Sequence, residues 1–262
     1  MRLGIAVLAL LAGSASAQIL PWEVTVAEIE AGRIRHLAER LSKQNLLYQF
    51  HLGGVAKADL IDTATQIDRI IASLEKGSPS YSVPAPWTPA IRAQISRVDD
   101  IWGPLRRIAV ASPYDYIRVA RDFMQAESNR GDPLGIRYFD NLALDLMADS
   151  DKLMALYDAE CVKTGLEVCS TARTSGHAAM IIERAAKQAI FVAIGIDAKR
   201  NRVQLEQTID AYHAVRRAND GNPFFAAALD PDRGVAIEDD QSGTFTIIHS
   251  GGSVVTNPVI RL

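Results

Sequence analysis

The sequence predicts an all-α protein: an elongated helical bundle built from a duplicated helical hairpin, ending in a short β-hairpin-like tail. Three observations carry that prediction. Runs with apolar residues at helical spacing, bounded by capping signals, occupy most of the chain. Glu39-Arg40-x-x-Lys43-Gln44 recurs as Glu183-Arg184-x-x-Lys187-Gln188, and Gly77-x-Pro79 recurs as Gly221-x-Pro223, both at an offset of 144 residues. Strand patterns are scarce before residue 244.

Residues 1–17 read as an export signal, with Arg2 as the basic start, an apolar run from Leu3 to Ala12, and Ala15-Ser16-Ala17 before Gln18. The run is well short of the ~20 apolar residues a membrane span needs. No Cys follows the cleavage site, which argues against a lipid anchor. The mature chain is expected to be periplasmic or secreted.

Thr25 with Glu28 forms a capping-box start and Gly53-Gly54 a stop, with Ile34, Leu37, Ala38, Leu41 and Tyr48 at helical spacing between them. A second helix is expected over 59–75, stopped by Gly77. Thr88-Pro89, Ser112-Pro113 and Asp132-Pro133 each place a capping side chain before a proline suited to the first helical turn. The last of these opens a pattern reaching Cys161, and helical runs follow over 175–196 and 199–219. Residues 244–249 and 254–256 flank Ser250-Gly251-Gly252-Ser253 as a terminal hairpin, and the acidic stretch 231–241 reads as loop. The domain reading is a signal at 1–17, a first helical module at 18–110, connecting helices at 111–172, a second module at 173–229 and a tail at 230–262.

Cys161 and Cys169 are eight residues apart, about 12 Å on an unbroken helix and beyond disulfide reach. Gly165 lies midway and lets the segment turn back. An oxidising compartment then favours a Cys161–Cys169 disulfide over free thiols.

The chain has 262 residues, 28 Lys+Arg against 31 Asp+Glu, and a formal net charge of −3, so no bulk electrostatic drive towards nucleic acid or anionic membrane exists. Within that total, Arg33, His36, Arg40 and Lys43 follow i, i+3, i+7, i+10 spacing, which stacks them along one helical stripe. Arg35 lies beside them, with Glu39 as its i+4 neighbour, while Ile34, Leu37 and Leu41 form the opposing buried face. Guanidinium forks hold oxyanions by paired hydrogen bonds, and Gly32 would allow close approach of a ligand or second helix. The same spacing also suits a solvated basic face.

The run AGRIRHLAERLSK resembles the opening motif of the N-terminal domain of type IV pilus chemotaxis transducers (PilJ-type). It is also similar to the periplasmic box of nitrate-sensing histidine kinases, broadly Ala-Gly-x-x-Arg-Met-x-Ser-x-Arg. ERAAKQAIFVAIGID looks like the second copy such domains contain, and the resemblance covers residues 24–225. It implies an all-α extracytoplasmic sensor bundle whose ligand, in the nitrate sensors, lies between the first helices of two protomers. The Arg three residues after the Gly holds that ligand, a position occupied here by Arg35, with Gly32 and Arg40 also matching. His36 stands where Met is usual and Ala38 where Ser is usual. In the second copy Gly176, Arg184 and Lys187 persist, but Ala179 replaces Arg35. The first copy is therefore expected to bind, through Gly32, Arg33, Arg35, His36, Glu39 and Arg40, and the second to be structural.

The resemblance implies a sensor for a small anion such as nitrate or nitrite; such proteins carry transmembrane and signalling segments, and this chain, with neither, is expected to be a detached, free-standing sensor domain. It would signal through a membrane receptor or sensor kinase and dimerise if the anion sits on a two-fold interface. The alternative is an envelope interaction or scaffold module without a small ligand. No cofactor, metal site or catalytic set is read. Ser73-x-x-Lys76 and Lys163-Thr164-Gly165 lack the Ser-Asp-Asn element of penicillin-recognising enzymes, and the five His are scattered.

Overall fold

In a computed structural model the described residues are 19–52, 54–112, 135–163 and 168–219, with three short strands near the C-terminus. The export signal, the segment after Ser112 and Gly221-x-Pro223 lie outside them. Six helices are described: α1 (Pro21–Gln49), α2 (Lys57–Lys76), α3 (Pro89–Val110), α4 (Ile136–Lys163), α5 (Val168–Ala193) and α6 (Ala198–Ala218). None is long and apolar enough to cross a membrane.

The first helix starts earlier than Thr25. Pro21 supplies the first turn, where its missing N–H costs nothing, and the Glu23 carboxylate accepts the Leu20 N–H at 2.8 Å. Thr25 and Glu28 are consequently buried within the helix and do not cap it. It also ends earlier than Gly53, because His51 adopts a left-handed φ of 54° after the last turn. The second helix stops at Gly77 as expected, with φ 77°. Thr88 caps α3, its hydroxyl accepting the Ile91 N–H at 3.1 Å. The run expected from residue 175 begins at Val168, and α6 agrees with the sequence expectation to within a residue.

The α1 helix is the hub of the bundle. Helices α2, α4 and α5 all pack along it, α3 lies against α2 and α4, and α6 packs on α5. The hub position explains why α1 is buried on nearly every side, with Ala27, Ala31, Ile34, Ala38 and Leu41 all fully enclosed. The Thr63 hydroxyl donates to Gln44 at 2.8 Å between α2 and α1. Trp102 of α3, 2% exposed, donates through Nε1 to Asp68 of α2 at 2.7 Å. One apolar cluster runs through α1 to α4 and takes in Met180, Ile181 and Ile182 of α5 and Tyr212 of α6. A smaller one, Ala185, Ala189, Leu205 and Ile209, joins α5 to α6.

The tail forms an antiparallel sheet of three strands, β1 (Ala236–Asp239), β2 (Phe245–Ile248) and β3 (Val254–Val255), in that order. The β2–β3 pair is the expected hairpin, with Ile247 opposite Val255. The stretch read as loop contributes β1, which pairs Ala236 with Ile248 through Asp239 with Phe245. Its acidic residues are poor strand formers, so the partner strand, invisible to local propensity, decides the conformation. Cys161 is buried at the end of α4, and the side chain of Cys169 lies outside the described residues.

Candidate functional site

The expected basic stripe does not stand free in water. Arg33 is exposed and pairs with Glu30 at 2.8 Å, one turn away. His36 and Arg40 are half-buried. Lys43 is only 2% exposed and pairs with Glu183 of α5. The solvated-face reading is thus corrected, because a hub helix has almost no solvent face to offer.

Arg35 sits where α1, α4 and α5 meet, 7% exposed. Its Nε pairs with Asp151 of α4 at 2.6 Å and not with Glu39, its helical neighbour. The terminal nitrogens have weaker company: Nη1 donates to the Met154 thioether at 3.3 Å, and Nη2 lies 3.4 Å from His177 Nδ1. A thioether is a poor acceptor, so two charged donors are buried against groups that an oxyanion would outcompete. Burial and the neighbouring Arg184 weaken the guanidinium's hold on its proton, opposed by Asp151. Gly32 lies one turn before, and a Cβ there would meet Met154 Sδ at 3.4 Å, an ordinary contact. No backbone approaches close enough to require glycine at this position.

Glu39 is fully buried between two cations of α5: it accepts from Arg184 Nε at 2.7 Å and forms an ion pair with Lys187 Nζ at 2.6 Å. Lys187 also reaches Asp140 of α4 at 2.7 Å, which the Ser42 hydroxyl contacts at 2.7 Å. Burial alone would lower the Lys187 pKa, but Glu39 and Asp140 hold it above the usual ammonium range. Burial likewise opposes ionisation of Glu183, and Lys43 with His36 outweighs it, holding that carboxyl low.

These pairs give the repeated motif a structural meaning. Glu39 of the first copy meets Lys187 of the second, and Glu183 of the second meets Lys43 of the first. Contact 35–177 is followed by 39–184 and then by the cluster of Leu46 with Phe191, so α1 and α5 run parallel. Exchange of equivalent partners is what a local two-fold axis between parallel helices produces. Sequence reasoning missed Asp151, Met154 and His177, which wall Arg35 in, and Asp140. Only the repeat offset hinted at α5, and nothing in the sequence pointed to α4.

His36 bonds the Ala179 backbone and, because of burial, with Arg40 adding to the effect against Glu183, sits below the usual imidazole pKa. His177 is lowered by burial and then by Arg35 and Arg184. Both folded pKa values therefore lie below the ordinary 6.5. In that window the unfolded chain binds more protons, so stability falls as pH drops below 6.5 and is unaffected by these groups above it. A melting temperature that declines from about pH 7 to 5, less steeply in a His36→Asn/His177→Asn variant, is expected. Equal slopes would mean that the two imidazoles do not set this pH dependence.

Among the described residues no cluster of His, Cys, Asp and Glu suits a metal ion. The fold and site together define a helical bundle organised around a buried charge seam. Residues 29–121 match the family model described as the type IV pili methyl-accepting chemotaxis transducer N-terminal domain (PilJ), from within α1 past the end of α3. That stretch is similar to a signalling-type domain. The match stops short of the second copy, which the resemblance by motif includes. No curated protein and no solved structure matches the chain.

Proposed function

We propose that this chain is an exported sensor module in which Arg35 recognises a small oxyanion, nitrate or nitrite, and whose bound state is read by a partner membrane receptor or sensor kinase. The single observation that carries the reading is the Arg35 guanidinium: buried, three residues after Gly32, with its terminal nitrogens on a thioether and an imidazole. Displacing those two groups by an oxyanion replaces weak acceptors with charge-assisted bonds. Asp151, half-exposed, can swing into solvent as the anion's charge arrives. Arg33 and Arg40 lend positive potential, and Glu39 fixes the facing helix, so the roles of Gly32, Arg33, His36, Glu39 and Arg40 are supporting ones around Arg35.

Because α5 forms the second wall within the same chain, this reading needs no homodimer. A change at Arg35 would pass to α4 through Asp151 and Met154 and to α5 through His177, altering how the two helices sit on α1.

The test uses mature protein recovered from the envelope, whose mass reports both cleavage after Ala17 and the Cys161–Cys169 disulfide. Thermal stability is measured with nitrate, nitrite and sulfate for wild type and Arg35→Ala. Nitrate or nitrite is expected to raise the melting temperature of wild type only, since a ligand selective for the folded state stabilises it. An identical rise in Arg35→Ala would remove the site assignment, and no rise with any anion would remove the small-anion reading.

A further inference from the structure

A second charged feature is left unused by the Arg35 reading. Helices α4 and α5 both pack on α1 but scarcely on one another, and α6 stands beyond α5. Between them runs a groove of about 620 Å³. Lining residues on α5 (Ile181, Arg184, Gln188) and on α6 (Arg200, Gln204, Gln207) recur at helical spacing, so each helix presents one stripe to it.

The charges in this groove are not all neutralised. Arg137 is paired with Asp197 at 3.0 Å and Lys187 with Asp140 at 2.7 Å. Arg184 spends only Nε, on Glu39, and its terminal nitrogens have no partner among the described residues. Arg200 is exposed and makes no ion pair among the described residues. Gln188 is 7% exposed, and its Oε1 is buried with no hydrogen-bond partner among the described residues. The groove thus carries an acceptor waiting for a donor, flanked along the hairpin by the guanidinium groups of Arg184 and Arg200.

Arg184 lies nine residues before the end of α5 and Arg200 two residues into the antiparallel α6, which puts them roughly 10 Å apart along the hairpin. That spacing suits two anionic groups on one short molecule. We infer that the α4–α5–α6 groove binds a short dicarboxylate bearing a hydroxyl or amine, its two carboxylates on Arg184 and Arg200 and its donor on Gln188 Oε1. The groove adjoins the Arg35 site, since His177 also lines it and Arg184 neighbours Arg35, but its proposed carboxylate contacts do not include Arg35.

Calorimetric titration of the whole chain with malate, succinate and acetate tests this. Malate is expected to bind one per chain. Succinate, lacking the donor, and acetate, lacking the second carboxylate, should bind more weakly, acetate by at least about tenfold. Arg200→Ala removes an exposed side chain without disturbing the core and should weaken malate at least about tenfold. Arg35→Ala, which removes a neighbouring charge but no proposed contact, should weaken malate less than Arg200→Ala does. Absence of malate binding, affinity untouched by Arg200→Ala, or affinity lost in Arg35→Ala alone would each overturn the proposal, and succinate binding as tightly as malate would overturn the role of Gln188.

Discussion

Replacing Glu39 by Ala should destabilise the fold by about 3–5 kcal/mol, because it strands buried charge. Glu39 has no exposure, and it is the shared partner of Arg184 and of Lys187, itself only 3% exposed. The carboxylate's own desolvation was costly, so the loss does not measure what the pair contributes against an apolar alternative. What it measures is the penalty of leaving the Lys187 ammonium with Asp140 alone. Glu39→Leu combined with Lys187→Met should therefore recover most of the loss, since both charges leave together. Urea unfolding checks both variants, with a melting-temperature drop of roughly 10 °C expected for the single change. A loss under about 1 kcal/mol would mean that water reaches the seam and the ion pairs behave as surface pairs.

The second large effect lies in the other half of the bundle. Trp102→Ala should cost about 3–5 kcal/mol, from the cavity left where the indole is buried and the lost bond to Asp68. Asp68 keeps Arg106, whose Nε pairs with it at 2.8 Å, so no buried carboxylate is orphaned and the cost is chiefly packing. Trp102→Phe should retain more than half the stability lost by Ala. Equal losses for Phe and Ala would shift the weight from ring burial to the indole hydrogen bond. Comparing Trp102→Ala with Glu39→Ala asks whether the α2–α3 hairpin and the α1–α5 seam melt as one unit. Both report through the same hub helix, and a single transition is expected in each.

Much of the fold could be read directly from the chain. Thr88-Pro89 and Gly77 mark real boundaries because a cap and a positive φ are local requirements. The start of α1 differs from the sequence expectation because Thr25 and Glu28 carry capping chemistry that tertiary burial overrides, while Pro21 and Glu23 open the helix. The repeat anticipated a duplicated hairpin, and the structure adds that its copies face each other in parallel through their own motif. The site was legible only in part. Helical spacing placed Arg33, His36, Arg40 and Lys43 on one stripe, and spacing cannot say that α5 and α4 would cover it. Arg35 looked like Glu39's partner by sequence, yet Asp151 takes its Nε from 116 residues away in the chain. Long-range neutralisation of charge has no signature in a single sequence. The groove residues of α6 carried none either, since a polar helix face reads as a solvated one.

On the proposed reading Arg35 exchanges Met154 and His177 for an oxyanion. A crystal structure of the mature protein soaked in nitrate tests it most directly. Nitrate density is expected within hydrogen-bond distance of Arg35 Nη1 and Nη2, with Met154 Sδ withdrawn from the guanidinium. Nitrate bound elsewhere, with Arg35 still resting on Met154, would contradict it.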